Sequence, residues 1–305
     1  MGASSLRHSW PAAFSLMRCE GYWMTRFVAM ACPCEVLIED TEEATARAIA
    51  SAVANSAWRI ERKFSRYRND SIVQAINRSN GAPIEVDEET AKLLDFSSAL
   101  TRMSKGRFDI TSGVLRRAWT FDGGTRIPTQ EAIDALLPLI GWDKVEWERP
   151  RLRLPVGMEL DFGGIGKEYA VDAAVELAAS IAPEVSCLVN LGGDVAASRE
   201  RRDGKAWRVG VETVKRTGSA AGLIELHRGG LATSGDTRRF VLHAGHRYSH
   251  ILDARTGWPV RDAPHSVTVL ASTCTQAGAF TTLAMLEGTN ARTFLEQSDV
   301  RFWIQ

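Results

Sequence analysis

The chain is predicted to adopt a mixed fold of the α/β (α+β) type, on three observations. Segments whose apolar residues recur with a helical period alternate with short runs rich in Val, Ile, Leu and Phe. Several of those runs end in glycine with Asp, Asn or Ser, as in DFGGIG (161–166) and NLGGD (190–194), the chemistry that a strand-to-turn transition needs. The balance of 45% hydrophobic and 24% charged residues over 305 is that of a globular chain able to bury a core.

Lys plus Arg and Asp plus Glu both number 37, so net charge offers no footing for nucleic acid or an anionic membrane. No run approaches the ~20 apolar residues of a membrane span. Residues 1–26 lack a continuous apolar segment of signal-peptide length, because His8, Ser9, Pro11 and Arg18 interrupt it. They are expected to form a poorly ordered leader to a single domain over 27–305. The five cysteines are scattered and odd in number, which fits reduced thiols and a cytoplasmic location. Cys32-Pro33-Cys34 has no partner cluster in the sequence for a zinc site.

In chain order, 27–39 reads as a strand pair or one long bent strand. Residues 42–64 form an amphipathic helix with Ile49, Val53, Ala57 and Ile60 on one face. A loop with Tyr67 between Arg66 and Arg68 follows, then a short helix over 72–78 capped by Asp70-Ser71. A helix over 90–104 is opened by Asp87-Glu88-Glu89 and closed by Lys105-Gly106, matching dipole and glycine cap. Further expectations are a helix over 128–139, a hairpin over 144–154, a helix over 168–181 and a buried strand over 186–196. Strands follow over 207–212, 221–226 and 265–271, and a helix over 275–286. A hairpin is expected around 240–252.

Two stretches are dense in chemistry. Between 229 and 260, a hydroxyl-rich turn (Thr233-Ser234-Gly235-Asp236) precedes the hairpin, and Asp253-Ala254-Arg255-Thr256-Gly257 closes it. His250 stands where a strand runs out into that turn, and its ordinary pKa near neutrality suits a general base. Between 160 and 172, a strand, a glycine turn and a helix start follow one another. There backbone N–H groups and Lys167 can approach an anion, although the turn matches neither a Walker A loop nor a G-x-G-x-x-G fingerprint.

Four motifs in order, Arg107-Phe108-Asp109-Ile110-Thr111 with Trp119, DFGGIGKEYAVD (161–172), VNLGGDV (189–195) and ATSGDTRRF…RYSHILDARTGWPV (232–260), resemble the ApbE family of FAD:protein FMN transferases. The likeness spans about residues 27–290. It implies a T-fold-related compact architecture with a flavin cleft. The implied activity cleaves FAD, leaves FMN as a phosphoester on a threonine or serine of an acceptor protein, and releases AMP, with Mg2+ as the usual metal. By resemblance, His250 is the catalytic base. Met30, Tyr67, Arg107, Phe108, Asp109, Asp161, Lys167 and Ile251 fall on cofactor-contacting positions, and Gly164 (through its carbonyl), Thr281 and Thr282 on metal-binding ones.

One departure concerns the metal. Where the family pattern reads Ala-Asp-Ala-x-x-Thr, this chain has Ala277-Gly278-Ala279-Phe280-Thr281-Thr282. A hard cation held by neutral oxygens alone binds weakly, so the missing charge is expected from the FAD phosphates, or from Asp236 or Asp253. An FAD pyrophosphatase giving FMN and AMP, and a non-catalytic FAD-binding protein, are the alternatives that this departure leaves open.

Overall fold

The computed structural model describes residues 14–212, 220–236 and 239–305. Helices and strands are mixed, as predicted, and the chain divides into two compact units. The first takes the described residues of Met1–Glu61, Ile165–Ala232 and Leu270–Gly278; the second takes Arg62–Gly164, Thr233–Val269 and Ala279–Gln305.

The first unit is built on an antiparallel sheet in the order Ser15–Cys19, Tyr22–Ala29, Cys32–Glu39, Cys187–Leu191, Asp194–Ala197, with Gly229–Leu231 next. Part of the expected leader therefore belongs to the fold: Ser15–Cys19 and the start of Tyr22–Ala29 are sheet strands, while residues 1–13 lie outside the described residues. Of the two readings of 27–39, the strand pair is the one adopted. Met30 (φ 51°) and Ala31 (φ 56°) form its two-residue turn, both left-handed, the geometry that suits a hairpin's twist and is usually given to Asn-Gly.

The expected strand over 186–196 is likewise a hairpin, Cys187–Leu191 and Asp194–Ala197, reversed at Gly192-Gly193. Gly192 is required there, because at φ 68° an added Cβ would lie 2.6 Å from Cys32 Sγ. The helix Glu43–Phe64 buries Ile49, Val53, Ala57 and Ile60, the face read from its period. The helix Gly166–Ile181 packs on the two strands of the 187–197 hairpin through Ala170, Val171, Ala174 and Ala178.

In the second unit, Ser71 caps Ile72–Asn77 by accepting from the Gln74 N–H at 3.0 Å, and Asp87 caps Glu88–Met103 through the Thr90 N–H at 2.9 Å. The helix expected over 128–139 is broken into Gln130–Asp134 and a 3-10 turn, Leu137–Leu139. Pro138 lacks the N–H that would continue the ladder. The hairpin over 144–154 contracts to Glu146–Glu148 and Arg151–Arg153. A helix, Ala291–Gln297, and a strand, Arg301–Ile304, follow the last expected element.

Trp119 centres a buried cluster with Leu115, Ile133 and Ala254. Its indole N–H donates to the Gly257 carbonyl at 2.9 Å. At Gly257 (φ 72°) an added Cβ would lie 2.6 Å from Ile133 Cγ2. The turn that follows His250 is thus clamped to the core of its own unit.

Candidate functional site

In the second unit the hairpin Phe240–His243 and His246–Ser249 carries His250 immediately after its last strand. His250 is half-buried, with its ring edge-on to Phe121 at 6.3 Å. Nδ1 lies 3.1 Å from the Arg239 carbonyl oxygen. A carbonyl can only accept, so this bond puts the proton on Nδ1 and, in the neutral ring, the lone pair on Nε2. The next strand, Leu252–Asp253, begins one residue past Ile251, whose N–H donates to Ser249 Oγ at 3.1 Å.

The Arg107-Phe108-Asp109 loop has mainly an internal role in its bonding. Asp109 is buried, and its carboxylate accepts from the Thr111 N–H and hydroxyl (2.8 and 2.7 Å) and from the Trp142 N–H (2.7 Å). Arg107 donates to the Leu286 carbonyl and lies 3.5 Å from the Glu287 carboxylate, while its own carbonyl accepts from the Ala254 N–H. Phe108 lies over the glycine turn, with Cε2 3.1 Å from where a Cβ at Gly164 would stand. An open cavity of about 880 Å3 in this unit is lined by Asp109, Trp142 and Arg255 among others, but by no other candidate residue.

Asp161 and Tyr67 meet through a residue the sequence reading did not single out. Arg66 Nη1 lies 2.5 Å from Asp161 Oδ2, and Arg66 Nη2 donates to the Tyr67 hydroxyl at 2.8 Å. The guanidinium also lies 5.0 Å from the Tyr67 ring centroid. Asp161 accepts in addition from the Gly163 N–H at 2.9 Å. Tyr67 itself is 78% exposed, an aromatic face held by a cation and open to a planar ligand. The cue was the Arg-Tyr-Arg run, which by itself did not say which arginine turns inward.

Of the metal-binding positions, Thr281 is buried with its hydroxyl 2.9 Å from Ser234 Oγ, and Thr282 lies 3.4 Å from the same oxygen. The two carboxylates expected to substitute at Gly278 both have local partners. Asp236 bonds His265 Nδ1 at 3.0 Å and lies 3.5 Å from Arg247, and Asp253 is bound twice by Arg255 and accepts its N–H. Each carboxylate is thus held in a local pair.

In the first unit, Lys167 is ion-paired with the buried Asp194. Burial opposes the Lys167 charge, but Asp194 and then Glu168 outweigh it and raise the pKa above the ordinary lysine value. Met30 is half-buried and sits in a turn, not in a strand interior. Asp172 accepts from the N–H groups of Cys274 (2.7 Å) and Thr275 (2.8 Å), so it caps the helix Cys274–Glu287 from a distance in sequence.

Glu168 is the unforeseen group. It is 8% exposed, its Oε2 has no hydrogen-bond partner, and burial first, then the Asp194 charge, push its carboxyl up to about 8 against the opposing Lys167. Among the described residues, no three His, Cys, Asp or Glu side chains cluster to hold a metal. Within the second unit, the hydroxyl oxygens of Ser234, Thr281 and Thr282 are nevertheless of the hard type that Mg2+ prefers.

The family model described as "ApbE family" matches residues 30–304. The chain belongs to the ApbE family. Among curated family proteins, it is 30% identical over 233 residues to the FAD:protein FMN transferase of Vibrio cholerae, covering 74% of this chain and 69% of that protein. It is 28% identical over 235 residues to the one from Haemophilus influenzae, covering 73% and 68%. The solved ApbE protein of Thermotoga maritima superimposes with a TM-score of 0.85 at 32% identity, covering 93% of this chain and 94% of that one. The apo flavinyl transferase ApbE of Pseudomonas stutzeri gives 0.81 at 26%, covering 95% and 91%. The mixed ApbE architecture expected from the motifs is therefore the observed one.

Proposed function

We propose that this chain transfers the FMN moiety of FAD to a threonine or serine hydroxyl of an acceptor protein, with release of AMP. The observation that carries the reading is the family match over 30–304, together with relatives named for that transfer. In the reaction, the acceptor oxygen attacks the FMN phosphorus, the pyrophosphate P–O bond to the AMP half breaks, and the hydroxyl proton must leave.

His250 is the proposed acceptor of that proton. Its Nδ1–H bond to the Arg239 carbonyl supports this role by orienting the ring and leaving Nε2 as the basic nitrogen. Tyr67, steadied by Arg66, is proposed to contact a planar ring of FAD, and Asp161 to hold Arg66 in place. Met30, Arg107, Phe108, Lys167 and Ile251 are further proposed cofactor contacts. Asp109, whose oxygens are taken by Thr111 and Trp142, is assigned to shaping its loop. A bound Mg2+ would neutralise charge on the phosphate oxygens. Gly164, Thr281 and Thr282 are the neutral positions proposed to hold it.

The test is a mass-spectrometric transfer assay with purified chain, FAD, Mg2+ and an acceptor domain of a family partner. An acceptor mass gain equal to FMN, with AMP released, is the expected result. AMP release with water as the only acceptor would replace transfer by hydrolysis, and neither product would leave only FAD binding.

A further inference from the structure

The helix Cys274–Glu287 carries Gly278 at the position where the family pattern has its carboxylate. That volume is not empty. A Cβ added at Gly278 would lie 2.5 Å from Glu168 Cγ and 2.9 Å from both its Cδ and Oε1. The Glu168 side chain, entering from the first turn of Gly166–Ile181, therefore fills the space of a side chain at 278 with its own carboxylate. The two residues are sterically matched: a glutamate here excludes anything larger than glycine there, unless Glu168 moves.

A second observation points to a ligand. Glu168 is buried, yet Oε2 finds no donor. Buried carboxylate oxygens are normally hydrogen-bonded or bound to a cation, and an orphan one is costly. The nearby ammonium of Lys167 is ion-paired with Asp194. Asp236 and Asp253 are both committed elsewhere.

We propose that Glu168 supplies the anionic ligand of this chain's divalent-cation site, in place of a carboxylate at residue 278. The proposal rests on the transferase reading for the identity of the cation, and on the Gly278–Glu168 packing for the residue. It reassigns a charge from one helix to another at nearly the same point in space. It also means that restoring aspartate at 278 alone sets two carboxylates against each other in one buried volume, where like charges repel.

The probe is Mn2+, with binding to the full chain followed by calorimetry and by the electron paramagnetic resonance of free Mn2+, with and without FAD. Glu168→Gln keeps the shape and removes the charge, and is expected to weaken Mn2+ binding by about 10- to 100-fold or more. Gly278→Asp alone is expected to weaken it or leave it unimproved. The double exchange Glu168→Gly with Gly278→Asp is expected to recover it, which a mere packing defect would not. Near-ultraviolet circular dichroism of each variant reads folding separately. Wild-type-like Mn2+ binding by a folded Glu168→Gln chain overturns the proposal, as does a wild-type chain that binds no Mn2+ in either condition. FMN transfer by the wild-type chain is scored independently. Its failure overturns the transferase reading, while loss of Mn2+ binding in Glu168→Gln still supports the ligand assignment.

Discussion

The Nδ1 of His250 lies 3.1 Å from the carbonyl oxygen of Arg239, a bond that selects one ring tautomer and directs Nε2 away from that strand end. If Nε2 takes the acceptor's proton, His250→Ala removes the base without removing a core group. Turnover should fall by about 10²- to 10⁴-fold, the usual contribution of general-base catalysis. FAD affinity, read by flavin fluorescence, should change little. Equal transfer rates for the variant and the wild-type chain would take His250 out of the mechanism.

Asp109 makes a contrasting case, since its carboxylate already accepts three bonds from Thr111 and Trp142. Asp109→Ala strands those buried donors and should cost on the order of 3 kcal/mol of stability. Urea denaturation reads this directly. A direct FAD contact would instead lower affinity with no change in the urea midpoint.

Much of this was legible locally. The caps at Ser71 and Asp87 are written within three residues of the N–H groups they satisfy, and the buried face of 49–60 follows from its period. What escaped depends on contacts distant in sequence. The turn at Met30-Ala31 lacks glycine or asparagine, so hairpin and bent strand looked alike until pairing with the sheet decided it. The helix over 128–139 had the right period, but Pro138 outweighed it. The strand-end setting of His250 is readable from the sequence, whereas its bond to Arg239 depends on the hairpin's pairing. The match of Glu168 to Gly278 links two helices, and each residue alone is unremarked: a glutamate in a first helical turn and a glycine in an apolar helix. Asp236 and Asp253 looked available because their partners, His265 and Arg255, could not be assigned from spacing.

Tyr67 offers a test of ligand contact free of folding effects. Its ring is 78% exposed and contacts its own unit through Arg66. Tyr67→Ala should weaken FAD binding by about 1 kcal/mol, or about fivefold in Kd, if the ring stacks on the ligand. Its melting temperature should stay near that of the wild-type chain, since exposed substitutions seldom move stability. Arg66→Ala should lose at least as much affinity, because it frees both Tyr67 and Asp161. A double-mutant cycle between Arg66 and Asp161 measures their coupling, and additive losses would deny that Asp161 acts through Arg66.

Glu168 should make the metal-free chain sensitive to pH in an unusual direction. Burial, with Asp194 and Asp172 adding repulsion and Lys167 opposing, lifts its carboxyl from 4.5 to about 8. The folded state therefore holds this proton after the unfolded chain has released it. The associated stability is complete below about 4.5 and is lost as pH rises toward about 8. Within that window the slope contributed by Glu168 approaches about −1.4 kcal/mol per pH unit. Urea titrations in chelator between pH 5 and 8 should show it in the wild-type chain, and Glu168→Gln should be flatter and more stable at the alkaline end. Mn2+ should restore stability to the wild-type chain at pH 8 and do much less for the glutamine variant. Parallel pH profiles for the two chains would mean that the buried carboxyl is already neutralised by a partner other than a cation.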